Sequence, residues 1–259
     1  MIRVSIIGSG NVAQHLIQTF NSDGINPVSS NIELVQVFAR KKESVSDLIA
    51  TNKIYTNFNK IIPADLFIIA ITDDAIAEVS KELPFSNQLV VHTSGSVAMD
   101  AMGSKNRQGV FYPLQTFSKS KEIDFKTIPI CLEAQNEKDI QTLETVAKAI
   151  SNSVYKIDSE QRKALHVAAV FVSNFVNHLY QISNAICIEN ELSFDILKPL
   201  IQETANKILA LSPNEAQTGP AQRKDSQTIN AHLNFLTDDN QKEIYKLLTK
   251  SIIDNGKKL

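Results

Sequence analysis

The sequence is poor in several features that mark large classes of protein. It holds only two cysteines, Cys131 and Cys187, among 259 residues, and their spacing is not that of a zinc site, so no metal is predicted. No run of about 18 apolar residues occurs, which predicts that no segment spans a membrane. No charged segment precedes the first apolar stretch. We therefore expect no secretory signal and, with so few cysteines, a cytoplasmic location.

An excess of positive charge is missing as well. Lysine and arginine total 26 against 28 aspartates and glutamates, which gives a formal net charge of −2, and the lysines are scattered along the chain. Nucleic-acid-binding domains concentrate basic residues on one face, so we expect no nucleic-acid partner and a small-molecule substrate instead.

The most informative feature present is a glycine-rich turn near the N-terminus. A β-branched run is followed there by Gly8-Ser9-Gly10-Asn11-Val12-Ala13 and then by a helical pattern. Gly8 permits a sharp turn, Gly10 lets a pyrophosphate approach the backbone, and Ala13 lets the helix pack closely on the strand. The pattern predicts a dinucleotide cofactor at the helix N-terminus, and the alternative is a tight turn without a ligand. The residues predicted to hold the cofactor here are Gly8, Ser9, Gly10, Asn11 and Val12.

The end of the second predicted strand, residues 33–39, indicates which dinucleotide is bound. A free ribose 2′-hydroxyl favours Asp or Glu after this strand, but the chain has Arg40, Lys41 and Lys42 there. Cations can neutralise a 2′-phosphate, and Arg40 can contact it with two N–H groups. Arg40 and Lys41 are predicted to favour NADP over NAD, the alternative being a solvated basic surface. Arg40 follows the glycines at more than the usual spacing of about 20 residues, and a polar loop predicted at 22–31 absorbs the difference.

Strand and helix patterns alternate through the first part of the chain, and helical patterns alone follow. This order predicts an α/β fold with a doubly wound, mainly parallel sheet, followed by an all-α domain. The predicted domains are a Rossmann-like dinucleotide-binding domain at 1–158 and a helical substrate and dimerisation domain at 159–259. A helix is expected at 45–50, and the apolar stretch 164–177 is expected to be a helix through the protein interior.

Ligands of a doubly wound sheet lie outside the carboxyl ends of its strands. Polar segments follow three predicted strands, at 71–74, 92–96 and 112–117. The first two are expected to contact the cofactor, and the third to form a wall of the substrate site. Cofactor contacts are predicted for Ile71, Thr72, Asp73, His92 and Thr93, and substrate contacts for Tyr112, Pro113 and Gln115.

Simpler interpretations are open for the polar residues of these segments. Asp73 can instead cap the following helix. Ser94, which we predict to orient the reacting group, can be an ordinary turn hydroxyl beside Gly95. The position of His92 at a strand end is also typical of a structural histidine.

The helical half contains a polar stripe on an apolar helix. At about 100° per residue, one side of this helix carries His166, Ser173, Asn174, Asn177 and Gln181. Histidine is the side chain whose charge changes near neutral pH, so His166 is predicted to move the proton in hydride transfer to or from a C=O or C=N bond. Asn174 is predicted to orient the reacting group and Asn177 to contact the substrate. The alternative is a hydrogen-bonded core histidine with asparagines that bridge helices.

A long polar segment at 212–225 is predicted to be a loop between helices, because Pro and Gly interrupt it. Loops of this length within compact domains are often functional. Arg223 is predicted to bind a substrate carboxylate, and the alternative is an ordinary exposed arginine.

Together these segments resemble a family of proteins that are proposed to be NADP-dependent oxidoreductases, with a Rossmann-like domain followed by a helical domain of unknown function. The segments that carry the resemblance are 8–13, 70–74, 92–96, 112–117, 166–174 and 218–225. The family is similar to pyrroline-5-carboxylate reductase, 6-phosphogluconate dehydrogenase and 3-hydroxyisobutyrate dehydrogenase. The resemblance implies that the helical domain closes over the nicotinamide and forms a dimer interface, so we expect a homodimer. It does not identify a substrate.

One departure from those relatives concerns the proton donor. β-Hydroxyacid dehydrogenases place a catalytic Lys one helical turn before an Asn, but here Lys163 is followed four residues later by Val167. His166 is therefore the better candidate. The resulting hypothesis is an NADP(H)-dependent oxidoreductase, and the alternative is a non-catalytic NADP(H)-binding regulator or scaffold. No residue excludes a deazaflavin in place of the nicotinamide.

Overall fold

The computed structural model describes residues 1–21, 31–119 and 121–255. The loop predicted at 22–31 lies outside these ranges except for Asn31. The strands are β1 (Ile2–Ile7), β2 (Ile32–Phe38), β3 (Ile54–Tyr55), β4 (Leu66–Ile69), β5 (Leu89–His92), β6 (Arg107–Pro113), β7 (Ile130–Ala134) and β8 (Val154–Lys156). They form one eight-stranded sheet in the order β3-β2-β1-β4-β5-β6-β7-β8.

All neighbouring strands are parallel except β6 and β7, which pair antiparallel. The winding changes direction once: the chain runs outward from β1 to β3 and then crosses back to β4 on the other side of β1, which is the doubly wound arrangement. Every residue of β4 is buried, as expected for an interior strand that is covered on both faces. The predicted fold class is confirmed.

The helices are α1 (Asn11–Asn21), α2 (Asp73–Glu82), α3 (Glu137–Ile150), α4 (Ser159–Val170), α5 (Val176–Glu189), α6 (Lys198–Ala210), α7 (Pro213–Ala216), α8 (Ser226–Phe235) and α9 (Asp239–Asn255). Helices α1 and α3 pack on one face of the sheet, and α2 packs on the other. In the described ranges no helix has both the length and the apolar character needed to span a membrane.

The helix predicted at 45–50 is wrong. A single 3₁₀ turn at Lys42–Ser44 is followed by irregular turns, with Val45 and Ile49 buried as anchors. Six residues offer few helical hydrogen bonds to offset the cost of nucleation. In addition, the Ser46 hydroxyl donates to the backbone oxygen of Glu43, and such local bonds compete with helix formation.

The antiparallel pair β6–β7 determines where α4 runs. Strand β8 is parallel to β7, so both run opposite to β1–β6. The chain then turns back at Asp158, whose side chain caps α4 in a capping box with Gln161. Helix α4 consequently runs toward the carboxyl ends of β1–β6, the edge at which ligands of such sheets bind.

Two compact units divide the chain, Met1–Asn174 and Phe175–Leu259. The first includes the sheet and α4, so the domain boundary expected after residue 158 stays a prediction. Among the described residues of the second unit, only Cys187 and Ala221 are buried.

The interior helix expected at 164–177 is wrong for this chain by itself. Val167 is 58% exposed and Val172 is 74% exposed. The apolar sequence predicts that this helix surface is buried, but it does not indicate whether residues of the same chain or of another chain bury it. A π-helical turn at Phe171–Phe175 also interrupts the regular helix, so the spacing of 100° per residue assumed for the polar stripe does not hold across it.

Candidate functional site

The turn between β1 and α1 has the geometry that a nucleotide-binding loop requires. Gly8 has φ +141°, and its N–H donates to the backbone oxygen of Phe38 at 2.9 Å. A Cβ atom at Gly8 would lie 2.1 Å from the backbone oxygen of Ala70, so only glycine fits. A Cβ atom at Gly10 would meet nothing within 4 Å, which leaves open space beside the loop.

The N-terminus of α1 can accept an anion. Its first turn contains no acidic residue, and Ala13 packs against the sheet with 0% exposure. Ser9 and Val12 are half-buried and Asn11 is exposed, with the Asn11 Nδ2 atom donating to the backbone oxygen of Phe117 at 2.8 Å. The open space at Gly10 and the free helix end fit a pyrophosphate.

The basic segment after β2 is exposed. In the part of the chain that the structure describes, Arg40, Lys41 and Lys42 make no ion pair or side-chain hydrogen bond. Their charges are therefore available to an external anion. Cations beside a dinucleotide loop fit a 2′-phosphate.

The segments after β4 and β5 are joined by a hydrogen bond. The Ser96 hydroxyl donates to Oδ2 of Asp73 at 2.6 Å. Thr72 is the N-cap of α2 without a side-chain bond to the helix, and Asp73 follows it in the first turn. The capping role considered for Asp73 is therefore replaced by a link between two loops, while Ile71 remains half-buried beside Gly8.

His92 and Ser94 lie beneath this surface. His92 is fully buried, and its Nδ1 atom accepts a hydrogen bond from the backbone N–H of Ser94. Burial, helped by the positive charge of Arg162, lowers the pKa of His92 to about 4, so the ring is neutral. Ser94 is 5% exposed, and its hydroxyl oxygen accepts hydrogen bonds from the backbone N–H groups of Ser96 and Val97. These contacts favour the structural interpretation for both residues, and Thr93 is likewise buried.

Tyr112 and His166 come together at the carboxyl end of β6. The Tyr112 hydroxyl lies 3.0 Å from Nδ1 of His166, although the two residues are 54 positions apart. Burial raises the pKa of Tyr112 to about 12, so the phenol keeps its proton. A Cβ atom at Gly95 would lie 2.5 Å from the same Nδ1 atom, so the glycine makes room for the ring.

An ion pair that sequence reasoning missed holds α4 in place. Arg162 is 0% exposed, and its guanidinium donates to the carboxylate of Glu133 on β7 and to the backbone oxygen of Val97. The Ser159 hydroxyl donates to the same carboxylate. Arg162 lies four residues before His166 and so fixes the helical turn that presents the imidazole. Arg162 stands among the polar and charged residues 160–163, so nothing in the local sequence indicates that it is buried.

The remaining residues predicted to contact the substrate, and Asn174, which is predicted to orient the reacting group, differ in exposure. Pro113 is buried, whereas Gln115 is exposed and its Oε1 atom accepts the N–H of Thr116. Asn174, the last residue of the first unit, is exposed. The other two, Asn177 and Arg223, belong to the second unit, where both are exposed. A substrate role for these residues stays a prediction.

The segment 212–225 is not entirely loop. It contains the single helical turn α7, which Ser212 and Glu215 close with a capping box. Proline at the first position of a helix is favourable, so the proline that was expected to prevent a helix begins one. The side chain of Asp225 caps α8 by accepting the backbone N–H of Thr228.

The matching family and solved structures agree with this architecture. The chain is 40% identical to a provisionally assigned NADP oxidoreductase of Bacteroides fragilis, with 98% of each chain covered and a TM-score of 0.84. The chain belongs to the family of that protein. A model described as a domain of unknown function, DUF2520, matches residues 128–252. The resemblance inferred from the motifs is therefore confirmed.

More distant structures share the fold alone. A Thermotoga maritima protein is 19% identical, with 98% of both chains covered and a TM-score of 0.75. The 1-pyrroline-5-carboxylate reductase of Streptococcus pyogenes is 15% identical, with 100% of this chain and 99% of the reductase covered and a TM-score of 0.65. No curated protein matches the chain.

Proposed function

We propose that this protein is an NADP(H)-dependent oxidoreductase that transfers a hydride to or from a small C=O or C=N substrate. The observation that carries the proposal is the Tyr112–His166 pair, which lies at the same edge of the sheet as the Gly8–Gly10 loop. A group that can exchange a proton is thus placed at the edge where a nicotinamide would be held. The provisional activity of the Bacteroides fragilis relative supports the same class.

NADP is favoured over NAD by charge. The described side chains of Arg40, Lys41 and Lys42 are exposed and have no protein anion as partner. A 2′-phosphate would supply that anion and gain charge-assisted hydrogen bonds from Arg40.

The residues of this chain would act on the proton, while the bound dinucleotide supplies or accepts the hydride. During reduction the doubly protonated ring of His166 would give a proton from Nε2 to the substrate oxygen or nitrogen and become neutral, and in the reverse direction the neutral ring would take the proton back at Nε2. Tyr112 would hold Nδ1, because its hydroxyl can donate to this atom or accept from it. Strand β6 and the loop 93–97 pack against the His166 ring and would limit the access of water to it.

The test combines turnover with cofactor binding. Purified protein is screened for NADPH oxidation with panels of keto acids, aldehydes and cyclic imines, and His166→Ala is compared with wild type. We expect a fall in turnover of roughly 10²- to 10⁴-fold with little change in NADPH affinity. His178→Ala, at an exposed histidine of the second unit, is the matched control. NADPH binding without turnover on any panel would instead favour the regulator, and equal losses of turnover and affinity would contradict the role of His166.

We also propose that the protein is a homodimer formed through its helical half. The described second unit has only two buried residues, Cys187 and Ala221, which is far too small a core for a helical unit of this size. Large exposed apolar patches mark interfaces. The large apolar residues of the second unit that are exposed include Ile188, Leu192, Ile196, Leu200, Leu209, Phe235 and Leu247.

Sedimentation equilibrium tests the assembly. We expect a single species of twice the chain mass of 28.7 kDa. The unfolding temperature is expected to rise with protein concentration, because association stabilises only the folded state. A monomer at all concentrations would contradict the proposal.

A further inference from the structure

Gln14 joins the glycine-rich loop to the basic segment. It lies on the first turns of α1, and its Nε2 atom donates to the backbone oxygen of Ser9 at 3.0 Å and to that of Ser44 at 3.1 Å. A primary amide carries two N–H groups, so both are used in this bridge. We infer that Gln14 is a positioning residue that sets the preference for a 2′-phosphorylated adenosine, an inference that rests on the proposed function.

Ser44 belongs to a closed turn that contains two of the cations. The N–H and the hydroxyl of Ser44 both donate to the backbone oxygen of Lys41, at 3.3 and 2.5 Å. The N–H of Val45 donates to the backbone oxygen of Lys42 at 3.1 Å. Holding the backbone oxygen of Ser44 therefore holds Lys41 and Lys42, together with Arg40 immediately before them.

The opposite end of the bridge lies in the phosphate loop. Ser9 stands between Gly8, whose conformation only glycine can adopt, and Gly10, which borders open space. One side chain thus spans from the place of a pyrophosphate to the place of a 2′-phosphate. Both groups are attached to one ribose, at its 5′ and 2′ positions, so the protein groups that bind them must lie at a matching separation.

Other side chains do not hold the cations in place. In the described structure Arg40, Lys41 and Lys42 make no ion pair or side-chain hydrogen bond. Their position depends on the backbone, and the backbone depends on Ser44. Without the bridge, the turn that carries Lys41 and Lys42 must be ordered when a 2′-phosphate binds, and this loss of entropy weakens binding. An adenosine without that phosphate makes no contact with the turn, so its binding should change little.

The experiment measures two adenosine ligands by calorimetry, adenosine 2′,5′-bisphosphate and adenosine 5′-diphosphate. Gln14→Met keeps the length of the side chain and removes both donors. We expect it to weaken binding of the bisphosphate about 10-fold and binding of the diphosphate much less. Gln18→Met, one turn further along α1 at an exposed position, is the matched control and should change neither.

Three outcomes separate this inference from the proposed function. Equal weakening of both ligands by Gln14→Met would mean that the bridge only supports the loop, and unchanged binding of both would mean that it has no role. Either result overturns the inference while the cofactor assignment stands. If wild type bound neither ligand, the proposed function itself would fail.

A second variant covers the case in which Gln14→Met does not fold. Gln14→Asn stays polar but is shorter by one methylene, so it cannot reach both oxygens. It should show the same selective loss of bisphosphate binding. Hydrogen exchange of the Val45 amide should quicken in either variant, since the turn is released, while amides of β4 stay protected. Unchanged exchange at Val45 would count against the bridge.

Discussion

The hydroxyl of Tyr112 on β6 meets Nδ1 of His166 on α4 at 3.0 Å. Strand β6 is buried from Gln108 to Pro113, and α4 is held one turn before His166 by the ion pair of Arg162 with Glu133. Because one ring nitrogen is bound to the phenol, the other is the one left for a ligand. This contact gives the imidazole a defined orientation.

Without the Tyr112 hydroxyl, the His166 ring should no longer be held in one orientation. For Nε2 to accept a proton in the oxidative direction, a neutral ring must carry its proton on Nδ1 and donate it to the phenol oxygen, so nitrogen NMR at a pH where the ring is neutral should show the proton of His166 mainly on Nδ1. Tyr112→Phe should give a mixture of the two ring forms and, if the oxidoreductase activity is established, a loss of at least about 10-fold in kcat. Tyr155→Phe, at a residue that is 55% exposed, is the control. Identical ring signals in Tyr112→Phe and wild type would rule out the orienting role.

Alanine substitutions at Gly8 and Gly10 should have different effects, one on stability and the other on cofactor binding. Gly8→Ala forces a Cβ atom against the backbone oxygen of Ala70 at a φ of +141°, and should lower the free energy of unfolding by at least about 2 kcal/mol. Gly10→Ala meets no protein atom, so its stability should stay near wild type while NADPH affinity falls. Urea unfolding and calorimetry measure the two effects. A Gly10→Ala protein that bound NADPH normally would show that no phosphate lies there.

Removing one partner of the buried ion pair should lower the free energy of unfolding more than removing both partners. Arg162→Met leaves the Glu133 carboxylate, whose side chain is 15% exposed, without its cation, and the expected loss of stability is roughly 3 to 5 kcal/mol. Arg162→Met combined with Glu133→Gln should regain part of this loss. Chemical denaturation of the two single variants and the double variant gives the coupling energy. Additive losses would show that the pair is not coupled.

Because His92 is buried in its neutral state, the free energy of unfolding should decrease as the pH is lowered. The unfolded histidine takes up a proton near its ordinary pKa of 6.5, whereas the folded one does so only near a pKa of about 4. Its contribution is fully present above pH 6.5 and is lost as pH falls through 4, an effect of about 3 kcal/mol in the free energy of unfolding. His92→Asn keeps an acceptor for the N–H of Ser94 but does not titrate. The difference in stability between this variant and wild type should change over that pH window, and a constant difference would contradict the shift.

Local sequence patterns could predict the sheet and the glycine loop because both depend on neighbouring residues. The apolar run of β4 and the glycines at 8 and 10 specify their structures within a few positions. The failed helix at 45–50 shows the limit of such patterns, since short-range hydrogen bonds and two buried anchors decided its conformation.

The contacts of the candidate site could not be predicted in the same way. Tyr112 and His166 were each identified, but their hydrogen bond spans 54 positions and depends on the direction of α4. Arg162 and Glu133 are 29 positions apart, and neither has a local signal for the other. Such pairs follow from topology, which a single sequence describes only in outline.

The start of the antiparallel strand β7 also divides the sequence into two segments with different proposed roles. Every residue that we propose to hold the coenzyme is encoded before Pro113, while His166, the proposed proton donor, follows the start of β7, close to residue 128 where the DUF2520 match starts. Under the proposed function, recombination between relatives in the segment joining β6 to β7 would exchange the proton donor and keep the nucleotide preference. Evolution could change the chemistry of such a protein without redesigning its coenzyme site.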